Sequence, residues 1–322
     1  MMKFSGSMQA AFAAGLATIF FAAAPASAQD WAKAKLADSP RHGEYVTIHE
    51  PGGRNLQAWV VYPEVKGKAP VVVLIHEIFG ESDWFREMAD ELAAAGYIAV
   101  APDLLSGLGP TAATVAAAGA PGADHNSMDI TPGAPGSAYQ AAMPGGTSAF
   151  PDQGAVVKAV TSLPDAQVYA DLNAAADYGK HLPAASGKLY VAGFCWGGGK
   201  SFGFATQRRD LAGALVFYGT PPPADQMKSI TAPVYGFYAE NDARVTSIVP
   251  QATKDMQAAG KVYKPVIYPG AGHGFMRAGE TPAAVSAPLI AAGKLDPKQV
   301  DANAAAREAA FQRTVTLLGG KP

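Results

Sequence analysis

The stretch Leu189-Tyr190-Val191-Ala192-Gly193-Phe194-Cys195-Trp196-Gly197-Gly198 decides how the rest of the chain is read. An apolar run suited to a strand leads into small residue, any residue, cysteine, any residue, small residue, which is the pattern of a nucleophile elbow. There a strand turns sharply into a helix, and the central residue is held in a strained backbone conformation with its side chain projected into a pocket. Glycines two before and two after it let neighbouring backbones approach where a Cβ would clash. Cys195 is the only cysteine of the chain. A free cysteine is more often a small, inert core hydrophobe. Between these glycines it reads as the reacting atom, because a thiol near neutral pH is already a few per cent thiolate and strongly nucleophilic. Gly199-Lys200-Ser201 looks like the end of a phosphate-binding loop, but that motif needs a glycine where Phe194 stands, so nucleotide binding is not expected.

Further apolar, β-branched runs occur at Val46 to Ile48, Leu56 to Tyr62, Pro70 to Ile75, Tyr97 to Ala101, Ala214 to Tyr218, Val234 to Tyr238 and Pro265 to Tyr268. The middle ones are continuous rather than alternating, as parallel strands covered on both faces require. Helical periods lie between them. Phe85, Met88, Ala89 and Leu92 share a face after Ser82-Asp83, Val168, Leu172 and Ala176 follow Pro164-Asp165, and Phe311, Val315 and Leu318 close the chain before Gly319. The expected architecture is α/β, a mostly parallel sheet with helices on both faces, opened by an antiparallel hairpin around Pro51-Gly52-Gly53.

The N-terminus has Lys3, an apolar stretch from about Ala10 to Ala24 and Ala26-Ser27-Ala28 before Gln29. That is the form of a secretory signal peptide spanning 1–28, too short in its apolar part for a membrane span, so export to the periplasm or medium is expected. Residues 29–322 then form a single domain. With a net charge of −2 and both signs scattered, no basic patch suggests a nucleic acid or an anionic membrane as partner. One cysteine makes no internal disulfide, so the fold rests on its core. From Leu104 to Pro151 the chain turns to Ala, Gly, Pro, Ser and Thr, with Asp124 and Asp129 as its only charges. This is an insertion above the strand ends, a lid over the pocket or a long surface loop. His125 within it reads as solvated.

A nucleophile needs a base, and the base needs an orienting group. His273 lies in the glycine-rich turn Pro269 to Phe275, and Asp242 ends Tyr238 to Asp242; each turn directly follows a strand. The order Cys195, Asp242, His273 is the nucleophile, acid, histidine order of the α/β-hydrolase fold. His76-Glu77-Ile78-Phe79-Gly80 follows another strand, where that fold places one oxyanion donor. The backbone N–H groups of Ile78 and Trp196 are the expected pair. His76 reads as a structural residue of this loop, and no other His or Cys stands at metal-ligand spacing from it, so neither metal nor cofactor is expected.

His76 to Gly80, Gly193 to Gly198, Asp242 and Gly272 to Phe275 together resemble the dienelactone hydrolase (carboxymethylenebutenolidase) family, from about Tyr45 onward. The resemblance implies an α/β-hydrolase of monomer size with a Cys-His-Asp triad that opens an unsaturated lactone to a carboxylic acid. It implies that Glu77 contacts the resting thiol and moves when a substrate carboxylate arrives. It matches Arg277 to a substrate-binding arginine, which could clamp a carboxylate or sit on a solvated loop. The family's second such arginine has no counterpart, because no arginine lies between Arg86 and Arg208. A small ester or lactone is therefore the expected substrate. The competing class is a catalytically retired scaffold that binds a partner, which would require a missing triad member.

Overall fold

A computed structural model of the chain describes residues 30–109, 145–278, 287, 290–293 and 296–319. The expected signal peptide and the centre of the insertion, with His125, lie outside the described residues. Eight strands form one sheet: β1 Gly43–His49, β2 Asn55–Val61, β3 Ala69–Ile75, β4 Ile98–Asp103, β5 Ala185–Phe194, β6 Gly213–Phe217, β7 Val234–Ala239 and β8 Tyr263–Tyr268. Their order is β1-β2-β4-β3-β5-β6-β7-β8. β2 pairs antiparallel with both β1 and β4, and every other pairing is parallel. The hairpin at residues 50–54 is closed by Glu50 and Arg54, whose Glu50 N–H donates to the Arg54 carbonyl at 2.9 Å.

The continuous apolar runs are explained by the two faces they serve. Val71, Val73 and Ile75 of β3 belong to one core, while Val72 and Leu74 belong to the other. The first core is covered by α4 Asp165–His181, α5 Trp196–Phe204 and α8 Val249–Ala258. The second is covered by α1 Asp30–Asp38, α2 Asp83–Ala94 and α9 Pro297–Leu317. α3 Gln153–Thr161, α6 Ala224–Met227 and α7 Ala243–Thr246 complete the helices named here. Ser82 caps α2 by accepting from the Phe85 N–H, as a serine before an apolar helical period should. Burying both faces makes each inner strand intolerant of a polar residue, so the functional groups collect where the strands end.

The segment from Leu104 follows the carboxyl end of β4 at Asp103. Its described ends, 104–109 and 145–151, are tied together at Asp103, whose Oδ2 accepts the Thr147 N–H at 2.6 Å and whose Oδ1 accepts the Thr147 hydroxyl at 2.8 Å. Leu105 and Phe150 then join Val156 and Val160 of α3 in a small apolar cluster against Trp196. Among the described residues no helix is long and apolar enough to cross a membrane.

Candidate active site

Cys195 stands between β5 and α5 at φ 56°, ψ −116°, a left-handed conformation that non-glycine residues avoid. Its N–H donates to the Phe217 carbonyl at 3.0 Å, and its own carbonyl accepts from Gly199 at 3.2 Å, which fix the turn on both sides. The glycine spacing has a steric cause. A Cβ on Gly193 would sit 2.0 Å from the Gly197 carbonyl oxygen, and one on Gly197 would sit 2.3 Å from that of His76. The elbow can form only because these backbones touch, and the result is a half-buried sulfur at the amino end of α5.

His273 Nε2 lies 3.1 Å from Cys195 Sγ, and His273 Nδ1 lies 2.5 Å from Asp242 Oδ2. A carboxylate only accepts, so Nδ1 carries a proton and Nε2 faces the sulfur. Burial disfavours the imidazolium, but the hydrogen bonds to Asp242 and Cys195 outweigh it and raise its pKa to about 9. The histidine and aspartate loops are laced to each other. The Asn241 N–H donates to the Ala271 carbonyl at 2.8 Å, its side-chain amide to the Gly270 carbonyl at 3.0 Å, and the Gly270 N–H to Glu240 Oε2 at 2.8 Å. Asn303 of α9 accepts the Gly272 N–H at 2.7 Å. None of these supports is visible in the sequence, except that polar residues crowd the loop beside Asp242.

The loop after β3 forms a turn in which the Gly80 N–H donates to the Glu77 carbonyl at 3.2 Å. His76 is fully buried, and its Nδ1 donates to that same carbonyl at 2.7 Å. Burial lowers its pKa and keeps the ring neutral, stacked on Trp196 at 5.7 Å and edge-on to Phe85 at 5.8 Å. His76 thus joins the two loops that carry Ile78 and Trp196. Among the described residues, neither the Ile78 nor the Trp196 backbone N–H is engaged by a protein acceptor.

Glu77 makes other contacts than the thiol contact the resemblance implies, and Arg277 is one of its partners. Glu77 is buried, its Oε1 accepts the Tyr218 hydroxyl at 3.0 Å, and its Oε2 is 3.1 Å from Arg277 Nε. The thiol contact goes to His273, and the carboxylate goes to the nearest cation, which offsets part of the cost of its burial. Arg277 is neither free nor on a solvated loop: it ends a short 3-10 turn, Phe275–Arg277, with its guanidinium 5.1 Å from the Phe79 ring centre. Its Nε is not aimed at the carboxylate, so the contact is between charges rather than an aligned hydrogen bond. Tyr218 was not singled out by the sequence; its only local signal is its place one residue beyond β6.

Comparison with known proteins follows the same lines. The model of the dienelactone hydrolase family matches residues 56–321. The protein named "Putative carboxymethylenebutenolidase" of Salmonella typhi is 29% identical over 238 residues, covering 69% of this chain and 74% of that one. Its namesake in Saccharolobus solfataricus is 29% identical over 240 residues, covering 71% and 87%. Among solved structures, the Klebsiella pneumoniae "Putative Dienelactone Hydrolase" superposes with a TM-score of 0.61 at 23% identity, covering 86% of this chain and 98% of that one, which speaks for the fold. With the family model spanning the elbow, the aspartate and the histidine loop, the chain belongs to the dienelactone hydrolase family, α/β-hydrolases that act on ester bonds.

Proposed function

We propose that this protein is a cysteine hydrolase that opens small lactones or esters through Cys195, His273 and Asp242. The observation that carries the reading is the strained Cys195 held 3.1 Å from His273 Nε2 while Asp242 holds the opposite ring nitrogen at 2.5 Å. With the His273 pKa raised to about 9, the thiol proton rests on Nε2, and the sulfur attacks the carbonyl carbon, forming a C–S bond as the carbonyl π pair moves onto oxygen. The Ile78 and Trp196 N–H groups receive that oxyanion, an interaction typically worth ~10²–10³ in rate per donor. As the intermediate collapses, the ring C–O bond of a lactone, or the alkoxy bond of an ester, breaks and takes the proton from the His273 imidazolium. Neutral His273 then draws a proton from water, which attacks the thioester and releases the carboxylic acid and the thiol. Asp242 supports the imidazolium in both halves.

Export is part of the proposal and rests on Ala26-Ser27-Ala28 preceding Gln29.

The test is hydrolysis of a panel of small lactones and esters, with and without a free carboxylate, by wild type and Cys195→Ala. Turnover should fall by several orders of magnitude in the variant at unchanged melting temperature. Wild-type turnover in Cys195→Ala would overturn the mechanism, and a mature protein that keeps Met1 in the cytosol would overturn export.

A further inference from the structure

Tyr218 combines three features that the mechanism above does not use. Its backbone is at φ 40°, a second non-glycine residue beside Cys195 in the left-handed region. Its side chain is fully buried, and its ring packs edge-on to His273 at 4.9 Å and to Phe275 at 5.3 Å. Its hydroxyl donates to Glu77 Oε1 at 3.0 Å. A phenylalanine would make the same ring contacts without burying a hydroxyl, so the oxygen is explained by Glu77 and by nothing else it touches.

The backbone shows why the residue stands there. The Tyr218 N–H donates to the Phe237 carbonyl at 2.7 Å, which continues the β6 ladder one residue past the strand. The next residue, Gly219, is pressed against the elbow, where a Cβ would come within 2.2 Å of the Gly198 carbonyl carbon. The chain must turn between these two constraints, and the turn throws the ring inward, between the imidazole and Glu77. Strain kept at such a place is a pointer to a role.

We propose that Tyr218 is a positioning residue that holds the Glu77 carboxylate against Arg277 and away from the reacting sulfur. The inference rests on the triad reading. Glu77 is faced by Arg277 from the turn after β8 and by Tyr218 from the end of β6; Cys195 is faced by His273 and lies within electrostatic reach of the same Arg277 and Tyr218. The Arg277 contact is not an aligned hydrogen bond, so the tyrosine hydroxyl supplies the directional hold on the carboxylate. A carboxylate released toward Sγ would oppose thiolate formation by like-charge repulsion, and a charge that comes within ~4–6 Å moves a titration by about one unit or more.

The experiment is the pH dependence of Cys195 alkylation by iodoacetamide in wild type, Tyr218→Phe, Glu77→Gln and the double variant. Alkylation reads the sulfur whether or not it turns over an ester, so failure of the triad reading, seen as turnover by Cys195→Ala, remains separate. Tyr218→Phe should move the rise in alkylation to higher pH by about one unit, roughly tenfold slower on the rising limb, with the ring packing and melting temperature kept. In the Glu77→Gln background the same substitution should shift nothing, because no charge remains to be misplaced. An unmoved or downward-shifted profile overturns the proposal. So does an equal shift with and without Glu77, which would assign the effect to the ring against His273. If Tyr218→Phe does not fold, Glu77→Asp, which draws the carboxylate back from the hydroxyl, should give the same upward shift, and its absence overturns the proposal.

Discussion

Arg277 Nε lies 3.1 Å from Glu77 Oε2, so the arginine four residues beyond His273 already has an anionic partner. A substrate carboxylate would have to compete with Glu77 for it, and a neutral ester would not. Arg277→Ala should therefore lower the ratio of kcat/KM for carboxylate-bearing lactones over neutral esters by a factor corresponding to ~1.5–3 kcal/mol. The ratio is the quantity to measure, because removing the guanidinium also leaves Glu77 buried with one partner fewer and weakens the fold for both substrates. Equal losses on both would assign Arg277 to structural support of the His273 loop.

Asp242 is the second residue whose replacement separates orientation from nucleophilicity. An asparagine can offer its amide to Nδ1 and so leave the Nε2 proton pointing at the sulfur, the wrong tautomer for accepting the thiol proton. Asp242→Asn should reduce kcat by about 10³–10⁴, with Cys195 still present for titration by a thiol reagent. Near-wild-type kcat would remove Asp242 from the mechanism.

The His273 imidazolium, raised to about 9, gives two linked pH effects. Protonation of the leaving oxygen requires the imidazolium, so kcat/KM should decline on an alkaline limb near pH 9. For stability the direction is the same. A histidine whose pKa is ordinarily about 6.5 and is raised on folding adds stability that is complete below about pH 6.5 and is lost as pH rises through about 9. Urea denaturation from pH 6 to 10 should show that loss, and His273→Gln should flatten it.

The sheet was readable because its inner strands are covered on both faces: Val71 to Ile75 is apolar at every position since odd and even residues serve different cores. The elbow and the order of its partners were readable because strand ends and glycine contacts are local. α3 has no clear apolar period, since it offers only Val156 and Val160 to the interior behind an alanine- and glycine-rich segment. α1 carries little signal for a similar reason, with Ala32 its only fully buried side chain among the described residues. The Glu77, Tyr218 and Arg277 group was out of reach because its members come from three strand ends separated by long stretches of chain. No spacing rule links them; only the assembled sheet brings them together.

Glu81 gives the last prediction, and it concerns the buried polar cluster beside the candidate oxyanion loop. Its Oε2 accepts the Tyr45 hydroxyl at 3.1 Å, while Oε1 is buried without a hydrogen-bond partner among the described residues. Burial, with Asp103 nearby, outweighs the pull of Arg86 and raises this carboxyl to about 8 from the usual 4.5. The unfolded chain ionises the group above about pH 4.5 and the folded chain does not until about 8, so folding is penalised increasingly across that window. Glutamine keeps the oxygen for Tyr45 and cannot ionise. Glu81→Gln should therefore match wild type near pH 4.5 and exceed its stability by on the order of 1–3 kcal/mol at pH 8, read as a pH-dependent gap between two urea denaturation series. A gap that is the same at both pH values would show that packing, not the proton, distinguishes the two side chains. A destabilised variant at pH 8 would show that Arg86 needs the negative charge more than the interior resists it.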